Sequence, residues 1–111
     1  IGPGDSNLLT SISNVKKSLP GSFLLEQNYP NPFNPSTRIR FSISQPGLVT
    51  LKVYDVLGKE VAEIFKSNVE PGYYEKEWNA SGLSSGVYFV KLDQKTSLGL
   101  ASNSIKIVFN K

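Results

Sequence analysis

The stretch that decides the fold reads Arg38-Ile39-Arg40-Phe41-Ser42-Ile43-Ser44, then Gln45-Pro46-Gly47, then Leu48-Val49-Thr50-Leu51-Lys52-Val53-Tyr54. Apolar side chains recur at every second residue on both sides of a Pro-Gly turn. A period of two marks a strand with one buried face and does not match the 3.6-residue period of a helix. Ile39, Phe41 and Ile43 share one face, with Arg38, Arg40 and Ser42 opposite. Val49, Leu51 and Val53 repeat the pattern after the turn. Proline and then glycine supply the φ values of the reversal.

The same reading extends in both directions. Asp55–Gly58 is the next reversal, with Gly58 placed to take a positive φ. Glu60–Lys66 is a weaker strand with mixed faces, and Pro71-Gly72 is another turn. In Tyr73–Asn79, Tyr74 and Trp78 share one face while Glu75 and Glu77 take the other. Lys76 falls between the two aromatics and has to snorkel. Ala80–Gly86 reads as a polar loop, and Val87–Leu92 is apolar on both faces, as a central strand would be. Asp93–Asn103 reads as a long polar loop. Ser104–Phe109 closes the chain, with Ile105, Ile107 and Phe109 alternating against Lys106 and Val108. With a short run at Phe23–Gln27, this gives about seven strands with turn signals every 8–12 residues, an Ig-like antiparallel β-sandwich. The expected core contains Ile39, Phe41, Leu51, Val53, Trp78, Val87 and Phe89. The last strand is expected at a sheet edge, open to a partner.

Ahead of these strands stands Asn28-Tyr29-Pro30-Asn31-Pro32-Phe33-Asn34-Pro35-Ser36-Thr37. Each proline fixes φ, removes a backbone donor and biases the preceding residue towards extended geometry. The segment is expected to be a stiff, extended spacer, with Tyr29 and Phe33 as apolar anchors. Residues 1–22 are rich in Gly, Ser, Asn and Pro and read as a linker, with a tag-like remnant at Ile1–Gly4. Residues 23–111 form the expected domain.

Composition narrows the chemistry. The 111 residues suffice for one domain with a modest core. The chain has neither Cys nor His. Disulfides, thiolate metal sites, the commonest general base and any His-dependent triad are therefore excluded within it. Net charge is +3 with both signs interspersed, which is a soluble surface and not a nucleic-acid stripe. No apolar run reaches the ~20 residues of a membrane helix.

Gly82, Gly86 and their neighbouring serines lack the Lys and the following helix of a phosphate loop. Ser84 and Ser85 lack a base. Glu75 and Glu77 lie about 7 Å apart by strand rise, a glycosidase-like separation, but alternating Glu on an exposed strand face is the commoner outcome. The carboxylates show no calcium-loop clustering. Tyr73, Tyr74, Trp78, Tyr88 and Phe89 raise the alternative of a carbohydrate-binding module; burial of Tyr74, Trp78 and Phe89 in the core is the competing expectation. A structural Ig-like spacer is the other alternative. No catalytic residue, metal site or cofactor is expected.

Three motifs in order make the chain resemble a known family. They are Tyr29–Thr37, then Val53-Tyr54-Asp55-Val56-Leu57-Gly58-Lys59-Glu60-Val61, then Trp78-Asn79-Ala80-Ser81-Gly82-Leu83 with Ser85-Gly86-Val87-Tyr88-Phe89. Together they resemble the type A C-terminal sorting domains of bacterial type IX secretion over residues 23–111. Matching positions include Pro30, Asn31, Pro32, Asn34, Pro35, Gly58, Gly72, Gly82, Gly86 and Tyr88. The resemblance implies a non-catalytic export signal that carries an N-terminal cargo from the periplasm across the outer membrane to the cell surface or medium. It implies the type IX machinery and a sortase-like signal peptidase as partners. At the end of the chain, Lys106 and Lys111 fit the family, whereas Ser104 and Ile105 replace its polar-basic lead. Recognition is expected to fall on Ile105, Lys106, Ile107, Val108 and Lys111.

Overall fold

Alternation in the sequence becomes seven strands: β1 (Leu24–Leu25), β2 (Ser36–Ile43), β3 (Gly47–Tyr54), β4 (Glu60–Val69), β5 (Gly72–Asn79), β6 (Gly86–Thr96) and β7 (Gly99–Phe109). This computed structural model describes residues 22–111, which contain no helix, so the linker expected over residues 1–22 lies outside them apart from Ser22. The strands form two antiparallel sheets, ordered β1-β2-β5 and β4-β3-β6-β7. The fold is the expected Ig-like sandwich.

Although β2 and β3 are adjacent in sequence, they belong to opposite sheets, so the Ser44–Pro46 connection crosses from one layer to the other. Gly47 is needed there for space. A Cβ at this position would lie 2.3 Å from the Lys95 carbonyl oxygen. Gly58 does take a positive φ, 86°, in the turn between β3 and β4.

The core lies between the inward faces. Ile39, Phe41 and Ile43 from β2 meet Val49, Leu51 and Val53 from β3, with Tyr88, Val90 and Leu92 from β6 and Ile107 and Phe109 from β7. Each fully buried side chain of this size contributes roughly 1.5–3 kcal/mol. Trp78 is half-buried against this cluster, its ring 6.0 Å from that of Phe33. Lys76 snorkels as its position requires, with Nζ 4.4 Å from the centroid of the Phe65 ring.

Two expectations are corrected. In β6 it is Tyr88, Val90 and Leu92 that face inward, so Phe89 is 38% exposed and Val87 is only half-buried. In this strand the unbroken apolar run Val87–Val90 hides the parity, which only exposed Lys91 marks as the outward face shared with Phe89 and Val87. Its register is imposed by pairing with β3, where Val53 faces Val90 and Leu51 faces Leu92. The Asp93–Asn103 loop is instead the outer half of a β6–β7 hairpin, closed at the Thr96–Gly99 pair. Its polar composition hides the alternation because the inward residue Gln94 is itself polar. Gln94 is buried and donates from Nε2 to the Gln45 carbonyl at 2.7 Å. Across the hairpin, Ser102 Oγ donates to Asp93 Oδ1 at 2.7 Å.

Candidate functional site

The proline segment is not a spacer. It folds back on the sandwich and closes half of the β7 edge. All three X–Pro bonds are cis. Tyr29 bonds reciprocally with Arg38, its N–H donating at 3.0 Å and its carbonyl accepting at 2.8 Å. That pairing turns the Tyr29 side chain outward, where it is 79% exposed, so Tyr29 is no anchor. Phe33 is one: it is 2% exposed and stacks on Phe109 at a centroid distance of 5.2 Å.

The segment's second anchor is polar. Buried Asn28 donates from Nδ2 to Thr37 Oγ1 at 2.9 Å and to the Pro30 carbonyl at 3.1 Å. Thr37 Oγ1 in turn donates to the Pro30 carbonyl at 2.9 Å. Among the described residues no buried side-chain polar atom lacks a partner.

Along β7, odd-numbered residues bond to β6 and even-numbered ones present their backbone groups to the outer edge. From Lys106 to Asn110 the proline segment and its neighbour occupy that edge. Gln27 Nε2 donates to the Lys106 carbonyl at 2.8 Å, and the Val108 N–H donates to Asn31 Oδ1 at 2.9 Å. The Phe33 N–H donates to the Val108 carbonyl at 3.0 Å, and the Asn110 N–H to the Phe33 carbonyl at 2.9 Å. The expectation of an open terminal edge is thus corrected for these residues. Nothing in the sequence marked Gln27 for this role. Asn31 stood within the motif, but spacing alone could not tell that its side chain would cap a strand 77 residues away.

The other two motifs reach the same end of the sandwich. The Ala80 N–H donates to the Pro35 carbonyl at 2.9 Å, which ties the 80–86 loop to the proline segment. Within that loop Asn79 Oδ1 accepts from the Ser81 N–H at 2.8 Å, and Tyr88 Oη donates to the Ser84 carbonyl at 2.6 Å. The latter is the tyrosine corner of Ig-like sandwiches. The Lys111 N–H donates to Ser85 Oγ at 2.9 Å. Tyr54 pairs with Phe89, so the turn after β3 leaves from this end as well. Asp55 Oδ1 accepts from the Leu57 and Lys59 N–H groups at 3.0 and 2.9 Å. The turn so fixed holds Val56 and Leu57 out in solvent, Leu57 at 90% exposure.

One pole therefore gathers Pro30, Asn31, Pro32, Asn34, Pro35, Gly58, Gly82, Gly86, Tyr88 and the last strand. Gly72 lies apart: it pairs with Ile43 at the opposite end of β2. Of the expected recognition residues, Lys106 and Lys111 are exposed, Ile105 and Val108 are half-buried and Ile107 is buried.

Glu75 is bridged by Arg40 Nε at 2.9 Å and Arg38 Nη1 at 3.4 Å, so one member of the Glu75/Glu77 pair is held in ion pairs. A half-open groove of about 520 Å³ beside Tyr29 and Pro30 is lined by those same arginines together with Glu26 and Glu77. Exposed Tyr29 and Tyr73 lie towards opposite ends of β2, and exposed Phe89 lies on the other sheet, so they form no row for a sugar chain. Among the described residues no three His, Cys, Asp or Glu side chains cluster for a metal, and no helix is long and apolar enough to cross a membrane. Lys52 Nζ lies 3.1 Å from Glu60 Oε1. That hydrogen bond first, and the Glu60 charge second, hold the Lys52 ammonium above the ordinary lysine value of 10.5.

Two antiparallel sheets and a tyrosine corner define an Ig-like sandwich whose motifs gather at one pole. The chain belongs to the secretion system C-terminal sorting domain family, whose model matches residues 27–108, and is thus a type IX sorting domain. Such sorting signals are generally non-catalytic, and carrying one marks a protein for the cell surface or the medium. Among solved structures, CopC from Methylosinus trichosporium OB3b is similar in fold, with a TM-score of 0.50 and 20% identity over 80% of this chain and 94% of that one. No curated protein matches the chain.

Proposed function

We propose that this domain carries an N-terminal cargo from the periplasm across the outer membrane, and that the pole is the surface the type IX machinery reads. A sortase-like signal peptidase then removes the domain. The observation that carries this reading is the convergence of three motifs, far apart in sequence, on one end of the sandwich through backbone and side-chain hydrogen bonds. Because the β7 backbone is already occupied there, the partner reads side chains: Lys106 and Lys111, with the half-buried Val108 and the exposed Leu57. Ile105 and Ile107 position them from the inner face.

The test fuses a reporter ahead of residues 1–111 in a type IX-competent cell. The unaltered fusion should reach the surface. A Lys106→Ser/Lys111→Ser variant should accumulate in the periplasm with an unchanged melting temperature, since exposed charges contribute little to stability. Normal export of that variant removes the lysines from recognition. Failure of the unaltered fusion to leave the cell in a matched host refutes the export reading.

A further inference from the structure

The other half of the β7 edge is unoccupied among the described residues. By the parity set at Lys106 and Val108, the backbone groups of Leu100, Ser102 and Ser104 point outward, and none has a partner among the described residues. Sheet edges are normally blunted by charge, proline, bulges or brevity. The remaining edges here follow that rule. β4 carries Glu60, Glu63 and Lys66 and two register shifts, β5 carries Glu75, Lys76 and Glu77, and β1 has two residues. From Ser97 to Ile105 there is no charged residue, no proline and no bulge. Two large apolar side chains stand beside this edge in solvent, Leu98 at 79% and Leu100 at 82% exposure.

We propose that this edge pairs with the same edge of a second copy of the chain, antiparallel, about a two-fold axis at Ser102. In that register Ser102 faces Ser102 of the copy, and Leu100 faces Ser104 of the copy. Each of these is a hydrogen-bonded pair that exchanges both its bonds. The match in length favours a second copy over an unrelated strand. Gly99 of the copy falls opposite Ile105, so its strand ends at the hairpin tip, where Gln27 begins to occupy the edge at Lys106. Lys106 faces Leu98 of the copy, so no like charges are opposed. Leu98 and Leu100 lose exposure, and the two four-stranded sheets become one. An isologous contact of this kind closes on itself and does not propagate into a fibre.

Sedimentation equilibrium of the full 111-residue chain tests the register itself. The chain should show a monomer–dimer equilibrium at concentrations up to about 1 mM. Leu100→Lys/Ser104→Lys places like charges opposite each other and should weaken dimerisation about tenfold or more at low salt. Leu100→Lys/Ser104→Glu places opposite charges in the same positions and should restore it. Both sites are exposed, and a melting temperature near that of the parent confirms that each variant is folded. In the dimer the Leu100, Ser102 and Ser104 amides should gain protection from hydrogen exchange as concentration rises. A chain that stays monomeric throughout, association that survives the like-charge variant, a charge-swapped variant as monomeric as the like-charge one, or protection of those amides in the monomer overturns the proposal.

Discussion

Phe33→Ala tests whether the proline segment is a structural part of the sandwich. Phe33 is 2% exposed, stacked on Phe109 at 5.2 Å and tilted against Trp78 at 6.0 Å. Truncating a buried phenylalanine costs about 3–5 kcal/mol, with the spread set by how far the site can collapse. Collapse is restricted here because the segment is pinned on both sides, by the Tyr29–Arg38 pairing and by the Ala80–Pro35 bond. The expected loss is therefore in the upper half of that range. A domain of about 90 residues has a total stability of roughly 5–13 kcal/mol, so the variant loses a large share of it. Urea unfolding followed by tryptophan fluorescence gives the difference, with Trp78 as the reporter. Hydrogen exchange gives its location: the Val108 and Asn110 amides should lose protection before those of β3 and β6 do. A loss below about 1 kcal/mol, with both amides still protected, would refute the claim that the segment closes this edge.

Tyr88→Phe removes only the hydroxyl that donates to Ser84, and the exposed carbonyl can turn to water. Its expected cost is about 0.5–1.5 kcal/mol in the same unfolding assay, and a cost near zero would deny the tyrosine corner a role in holding the loop. The Lys52–Glu60 pair predicts a pH effect of definite sign. The folded pKa of Lys52 lies above its unfolded value, so the stabilisation is complete below 10.5 and is lost as pH rises through the folded value. The difference in melting temperature between the parent and Glu60→Gln should be constant near neutral pH and vanish in strong alkali. A difference that persists there points to packing and not to charge.

Wherever alternation was clean, the sequence was sufficient. Ile39, Phe41 and Ile43, Val49, Leu51 and Val53, and Ile107 and Phe109 all face the core as their parity requires. Parity failed in β6 for two physical reasons. Val87–Val90 is apolar at every position, which hides the parity that exposed Lys91 alone marks and that pairing with β3 enforces. Beyond it, buried Gln94 is satisfied by a carbonyl from the opposite turn, and a polar residue in a core position reads as loop. The site was legible as three motifs but not as one place. Asn31 and Val108, or Gln27 and Lys106, meet through hydrogen bonds over sequence separations of 77 and 79, which no local rule encodes.

These long-range bonds bear on how the last strand can serve as a signal. Ile107 and Phe109 are core residues, with 0% and 1% exposure, so the strand cannot be handed to a partner without unfolding the pole. At the pole only its alternate side chains are available, and Asn31 and Phe33 align them by holding the strand from its outer edge. Under the proposed function, what the machinery reads is a product of folding and not a linear tag. Removing the strand therefore destroys display and stability together. Exchanging Lys106 and Lys111 alters what is displayed while the hydrogen bonds that display it stay in place, and that separation is what makes the paired lysine variant informative.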